Sequence, residues 1–225
     1  MVNDQEGSVE SRIQSWVLTL VDVPLFSIFS DLWKIGRKVV RGLSAEGMYE
    51  VIDYESTLEL KDTKGERVVF HKREVIKYLQ DYVLTYQDQA WGDGEILIGY
   101  HCSPGIPVDR YRAGYKTHIL ISLRDVKNKG DIEEFNIEWA IKNGFLNHTG
   151  FWATEISHRT KRAKVKIIYP KDRFPKRISI YEKNKQKTQS LGKSALTTLP
   201  DGRCLLTWEK SQPRLYEQYI INWEW

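Results

Sequence analysis

Cysteine is scarce in this 225-residue sequence: Cys102 and Cys204 are the only two, far apart and without CxxC spacing. That excludes a disulfide scaffold and a zinc ribbon, and it fits a reduced, cytoplasmic setting. Catalytic motifs are missing too. There is no GxxxxGK loop followed by Ser or Thr, no GxGxxG turn, no HExxH helix and no GxSxG elbow. His71, His101, His118, His148 and His158 stand singly, without the local spacing of most metal sites. No metal and no cofactor are therefore expected. The opening MVNDQEGSVESR lacks the basic start and apolar run of a secretory signal. Long hydrophobic runs are lacking as well: the one stretch of bilayer length, Trp16 to Ile35, contains Asp22, Pro24 and Asp31, which argues against a transmembrane span.

What is abundant is aromatic. Eight Trp and twelve Tyr, in a chain 41% hydrophobic, favour strands and interfaces over helix interiors. The fold class expected is mainly β, an antiparallel β-sandwich of immunoglobulin-like or related type, with an N-terminal amphipathic helix. Three segments follow: 1–47, helical; 48–130, antiparallel hairpins; and 131–225, the sandwich, with 48–225 readable as one domain.

In the first segment, Leu25, Phe29, Leu32, Gly36, Val40 and Leu43 recur at helical spacing, with Trp33 widening the stripe. Lys34, Arg37, Lys38 and Arg41 give its second half the charge that a helix C-terminus prefers. Such a helix docks on its own domain, in a partner protein's groove, or peripherally in a membrane interface. From Met48 the period changes to two, with Ile52, Tyr54, Leu58 and Leu60 on one side of a strand. DTKGE turns the chain and RVVFHKREVIKYL returns as a hairpin whose charged residues read as a solvated face. YLQDYVLTYQDQAW is a further strand by its Tyr and Val content. SPGIPVDRYRAG reads as a long loop, in which Arg110, Tyr111 and Arg112 could take an anion or a base.

The strongest functional signal is charge. Residues 158–187 hold twelve Lys or Arg against Asp172 and Glu182, about +10 within a chain of net +4. The spacing predicts a strand-turn-strand ribbon, AKVKIIY and KRISIYEK, with its tip at residues 170–176. Lys161, Arg162, Lys164, Lys166, Lys171, Arg173, Lys176 and Arg177 form the candidate anion-binding set, with Tyr169, Phe174 and Tyr181 placed for stacking. A concentrated cationic surface attracts polyanions. Nucleic acid is the favoured partner, with anionic lipid or an acidic protein as alternatives. The reading is a non-catalytic, β-rich binding or adaptor module that also takes a protein partner through its helix. The first alternative is a peripheral membrane effector using the helix and the basic surface. The second is a cysteine-dependent hydrolase with Cys102 as nucleophile and His118 as base on the next strand.

Overall fold

A computed structural model describes residues 47–225. The helix expected at Leu25 to Arg41, with its partner or membrane role, lies outside the described residues. Ala45–Trp225 is one compact unit, and its described part is mainly β. Its strands are β1 (Tyr49–Leu60), β2 (Arg67–Tyr78), β3 (Val83–Ala90), β4 (Glu95–Ser103), β5 (Ile106–Ala113), β6 (Lys116–Lys127), β7 (Ile132–Lys142), β8 (Thr149–Glu155), β9 (Arg162–Tyr169), β10 (Arg177–Glu182), β11 (Lys187–Ser190), β12 (Leu196–Thr198), β13 (Cys204–Ser211) and β14 (Gln218–Glu224).

They form three sheets. A seven-stranded sheet runs β12-β13-β9-β1-β2-β7-β4, a four-stranded sheet β11-β10-β14-β8, and a three-stranded sheet β3-β6-β5. Neighbours are antiparallel except β1 and β9, which run parallel. Strands from both halves of the sequence thus share the large sheet.

Alternation along each strand sets its inner face. In β2 the buried phase is Val68, Phe70, Ile76 and Tyr78. In β1 the phase slips at a bulge between Val51 and Asp53. Tyr49 and Val51 are buried before it, Ser56, Leu58 and Leu60 after it, so Ile52 does not share a side with Leu58 as its spacing suggested. A bulge does this because one extra residue reverses the side-chain phase.

The inner face of the large sheet meets both smaller ones through aromatic rings. Phe70 of β2 contacts Trp152 of β8, with centroids 5.0 Å apart, and Trp208 of β13 contacts Tyr219 of β14 at 4.9 Å. Tyr86 of β3 stacks on Phe135 of β7 at 4.0 Å. Burying each such side chain is worth about 1.5–3 kcal/mol, so these contacts fasten the layers together. The last strand, β14, sits between β10 and β8 with Tyr219, Ile221 and Trp223 buried, as its alternation predicts. Gly150 is required there: a Cβ on it would lie 2.4 Å from the Trp223 ring.

SPGIPVDRYRAG is not a loop. Most of it is β5, the exposed edge of the three-stranded sheet, paired with β6 and bulged between Pro107 and Asp109. An edge strand tolerates proline because one side of its backbone has no ladder to donate to.

Candidate functional site

The expected basic ribbon does not form. β9 lies inside the seven-stranded sheet between β1 and β13, whereas β10 lies in the four-stranded sheet between β14 and β11. The residues between them carry the chain from one sheet to the other.

On β9 the buried phase is Ala163, Val165, Ile167 and Tyr169, which points Arg162, Lys164 and Lys166 to the outer face. There they meet carboxylates from distant parts of the chain. Arg162 bonds Glu209 of β13 at 2.9 Å and Asp53 of β1 at 2.8 Å. The other oxygen of Asp53 takes Arg73 of β2 at 2.8 Å, and Arg73 reaches Glu134 of β7 at 2.7 Å. This alternating ladder crosses five neighbouring strands. It lifts the Arg162 guanidinium above its ordinary range, through the Glu209 bond first and then Asp53. Lys166 pairs with Glu55 at 2.5 Å, Lys161 with Glu50 at 3.4 Å and Arg177 with Glu224 at 3.5 Å.

Arg173 is spent differently. Its guanidinium lies 4.0 Å from the centroid of the Trp225 ring and donates to the carbonyls of Thr63, at 2.9 Å, and Asn147, at 3.0 Å. Of the candidate set, Lys164, Lys171 and Lys176 have no carboxylate oxygen within 4.0 Å among the described residues. The stacking residues also divide. Tyr169 is wholly buried, Tyr181 is partly covered, and Phe174 is half exposed between Lys171 and Lys176.

Beside the ladder on the same outer face lies a groove of about 210 Å³ lined by Glu55, Thr57, His71, Arg73, His101 and Glu138, among others. His71 and His101 flank Glu138 in direct cross-strand register, and His71 Nδ1 is 3.1 Å from Glu138 Oε2. The groove carries both signs of charge, so it has no electrostatic preference for an anion. Among the described residues no group of three or more His, Cys, Asp or Glu is arranged to hold a metal ion.

Arg110, Tyr111 and Arg112 do not converge. Alternation on β5 places Tyr111 opposite the two arginines. The Tyr111 ring stacks on His118 with centroids 5.1 Å apart, Arg110 lies 6.0 Å from the Tyr100 ring, and Arg112 Nε donates to the Gly114 carbonyl.

Cys102 and His118 do not assemble as nucleophile and base. Cys102 faces the core from β4, and its thiol donates to the Pro104 carbonyl at 3.4 Å. Burial, then the nearby Asp88, pushes the thiol up to about 12, so it is not ionised at neutral pH. His118 stands in the opposite phase to the buried Ile119 and Ile121 of β6, with its Nδ1 2.6 Å from Gln87 Nε2.

The sequence reading missed a buried polar cluster on the inner face. Lys72 and Glu74 follow Phe70 in the inward phase of β2, so the charge of this hairpin does not all lie on a solvated face. Lys72 Nζ lies 2.6 Å from Asp88 Oδ1 of β3, 3.2 Å from Glu74 Oε2 and 3.1 Å from the Tyr86 hydroxyl. Tyr86 donates to Glu74, and Tyr100 of β4 donates to Asp88 Oδ2 at 2.9 Å. The signal was present: a strict period of two through Val68, Phe70, Ile76 and Tyr78 assigns positions 72 and 74 to the inside.

Among the described residues no helix is long and apolar enough to cross a membrane. No protein-family model matches the chain, and no curated protein matches it in sequence. Among solved structures, the chain is similar to the M1 zinc metallopeptidase from Deinococcus radiodurans, at 11% identity and a TM-score of 0.44, with 77% of this chain covered against 42% of that one.

Proposed function

We propose that this chain is a non-catalytic binding module of a larger assembly, and that it engages a polyanion, nucleic acid foremost, through the cations of residues 158–187 that the fold leaves without carboxylates. One observation carries the reading. Of the twelve Lys and Arg in that segment, Lys161, Arg162, Lys166, Arg177 and Lys185 are ion-paired and Arg173 is engaged by carbonyls. The other six, Arg159, Lys164, Lys171, Lys176, Lys183 and Lys187, have no carboxylate oxygen within 4.0 Å among the described residues. The centre of the proposed site is the turn carrying Lys171, Phe174 and Lys176, where an exposed ring between two ammonium groups suits a base flanked by phosphates. The way the two smaller sheets face the large one supports the finer description of the fold as a sandwich of immunoglobulin-like or related type.

The test is binding of the full chain to a labelled single-stranded oligonucleotide at about 50 and about 200 mM salt. The triple variant Lys171→Glu, Phe174→Ala, Lys176→Glu is expected to bind at least about tenfold more weakly, with a shallower salt dependence. Arg162→Gln, which removes an already paired cation, is expected to change affinity little. Salt-independent binding, or equal binding by the triple variant, would sink the reading. Binding to phosphatidylserine vesicles without oligonucleotide binding would favour the peripheral membrane alternative instead.

A further inference from the structure

We propose that the outer face of the four-stranded sheet is a platform on which an unpaired nucleic-acid strand lies, with bases stacked on Phe151 and Tyr181. This rests on the reading that residues 158–187 engage nucleic acid, and it names the form of that ligand and the path it takes. The inner face of the sheet is fixed by burial: Ile178 and Ile180 of β10 are covered, as are Tyr219, Ile221 and Trp223 of β14. Alternation therefore turns Ser179 and Tyr181 of β10, and Ile220 and Asn222 of β14, the other way. On β8, Gly150 lies against the Trp223 ring and Thr154 is buried, so Phe151 and Ala153 share the outer face.

Cross-strand register sets these side chains in two rows. Phe151, Asn222, Ser179 and Ser190 stand opposite one another in the first, and Ala153, Ile220, Tyr181 and Thr188 in the second. None of the eight is buried, and Phe151 is 53% exposed. Strand spacing and rise put the Cα atoms of Phe151 and Tyr181 about 12 Å apart, so the two rings serve as separate stacking positions. The other outer faces are used differently. That of the seven-stranded sheet carries the ion-pair ladder, and on the three-stranded sheet the Tyr111 ring is already stacked on His118.

Charge complementarity names the occupant. Residues 176–187 carry Lys176, Arg177, Lys183, Lys185 and Lys187 against Glu182 alone, and Glu182 is taken by Lys185 at 2.6 Å and Lys210 at 3.6 Å. These cations bracket the two rows. Lys176 and Arg177 lie at the end that adjoins the turn of Lys171 and Phe174, where the Lys176 N–H donates to the Glu224 carbonyl at 2.7 Å. Lys183, Lys185 and Lys187 lie at the other end, on the hairpin that joins β10 to β11. The Arg177 pair with Glu224, at 3.5 Å between exposed side chains, is weak enough to yield to a phosphate. Positive charge at both ends with rings between them fits an extended polyanion that offers aromatic faces of its own, which is an unpaired strand. A duplex keeps its base faces inside its own stack, where surface rings do not reach them.

The test measures binding of the full chain to a labelled single strand of mixed sequence, and to the same strand annealed to its complement, at matched salt. Wild type is expected to prefer the single strand by at least about tenfold. The double variant Phe151→Ala, Tyr181→Ala is expected to bind the single strand at least about tenfold more weakly, with an unchanged salt slope because no phosphate contact is lost. Tyr181→Phe keeps the ring and is expected to bind as wild type does. Ultraviolet cross-linking of wild type, read by peptide mass spectrometry, is expected to attach the strand at Phe151 or Tyr181. Wild-type binding that the double variant retains, or equal binding of the duplex, would overturn this proposal while the reading of the basic turn stands; failure of wild type to bind either nucleic acid would remove both. A double variant that loses self-association but keeps its affinity for the strand would assign the face to a second copy of the chain instead. Should the double variant fail to fold, the cross-linked positions decide, and attachment confined to other residues would overturn the proposal.

Discussion

Arg173 sets its guanidinium over Trp225, 4.0 Å from the ring centroid, and ties the turn before β10 to the β1–β2 turn and to the segment before β8 through backbone carbonyls. A cation counted as a ligand for anions is thereby a fastener. Burial lowers its affinity for a proton, and Asp62 offsets this only in part. A planar fork that stacks and donates in two directions is not reproduced by an ammonium. Arg173→Lys is therefore expected to destabilise the protein by about 2 kcal/mol, which chemical denaturation would measure. Retention of full stability in that variant would contradict the fastening role.

The contact between Gly150 and Trp223 makes a sharper demand on packing. A single methyl at residue 150 would overlap the indole at 2.4 Å, and that ring is enclosed by Phe145, Tyr169 and Trp225. Overpacking of this kind costs about 1–3 kcal/mol. Gly150→Ala is expected to lose that much and to recover part of it when combined with Trp223→Phe. A double variant no better than the sum of its parts would show that the clash relaxes elsewhere.

What could be read from the sequence was local. Alternation placed β1, β2 and β14, and Asp62 to Glu66 announced a turn through residues that favour one. What could not be read was non-local. Arg162 finds Asp53 109 positions away and Glu209 47 positions away, so a charge count over residues 158–187 sees cations and misses the carboxylates folded against them. The same holds for β9, whose parallel neighbour β1 begins the described chain; nothing near Ala163 indicates it. Two prolines in PKDRFP look like a hairpin tip, yet they steer the chain between sheets. Lys72 and Glu74 are a different failure, because the inward phase was visible and only the habit of placing charge outside concealed them.

The β1–β2 turn supplies a pH-dependent contribution to stability. Asp62 accepts backbone N–H groups from Lys64, Gly65, Glu66 and Arg67 at 2.8–3.1 Å. Partial burial would raise the carboxyl, but these bonds and the Arg67 side chain hold it below the ordinary carboxylate range. A depressed folded value means that the stabilisation is complete above the unfolded value of about 3.9 and is lost as pH falls through the folded value. Asp62→Asn should therefore be less stable than wild type by a constant amount from pH 8 to 5, with the gap closing below about pH 4. Thermal midpoints across that range measure it; a gap that persists undiminished at acid pH would assign the loss to geometry instead of charge.

Lys72 decides whether the inner cluster is held by its charge or merely accommodated. Burial opposes its charged form, yet Asp88, Tyr86 and Glu74 keep its ammonium well above the usual lysine range. Removing it leaves the buried Glu74 and Asp88 carboxylates with the Tyr86 and Tyr100 hydroxyls but without the cation, and breaking a buried ion pair at one partner typically costs about 3–5 kcal/mol. Lys72→Met, close in volume, is expected to lose about that much. Replacing all three charges at once, as Lys72→Met, Glu74→Leu and Asp88→Leu, orphans only the Tyr86 and Tyr100 hydroxyls, and it should cost less than Lys72→Met alone despite the larger change. The ordering follows from the asymmetry between an unpaired buried charge and an apolar replacement. Denaturant midpoints for the two variants test it directly, and a triple variant less stable than the single one would mean that the cluster contributes net stability to the joint between β2 and β3.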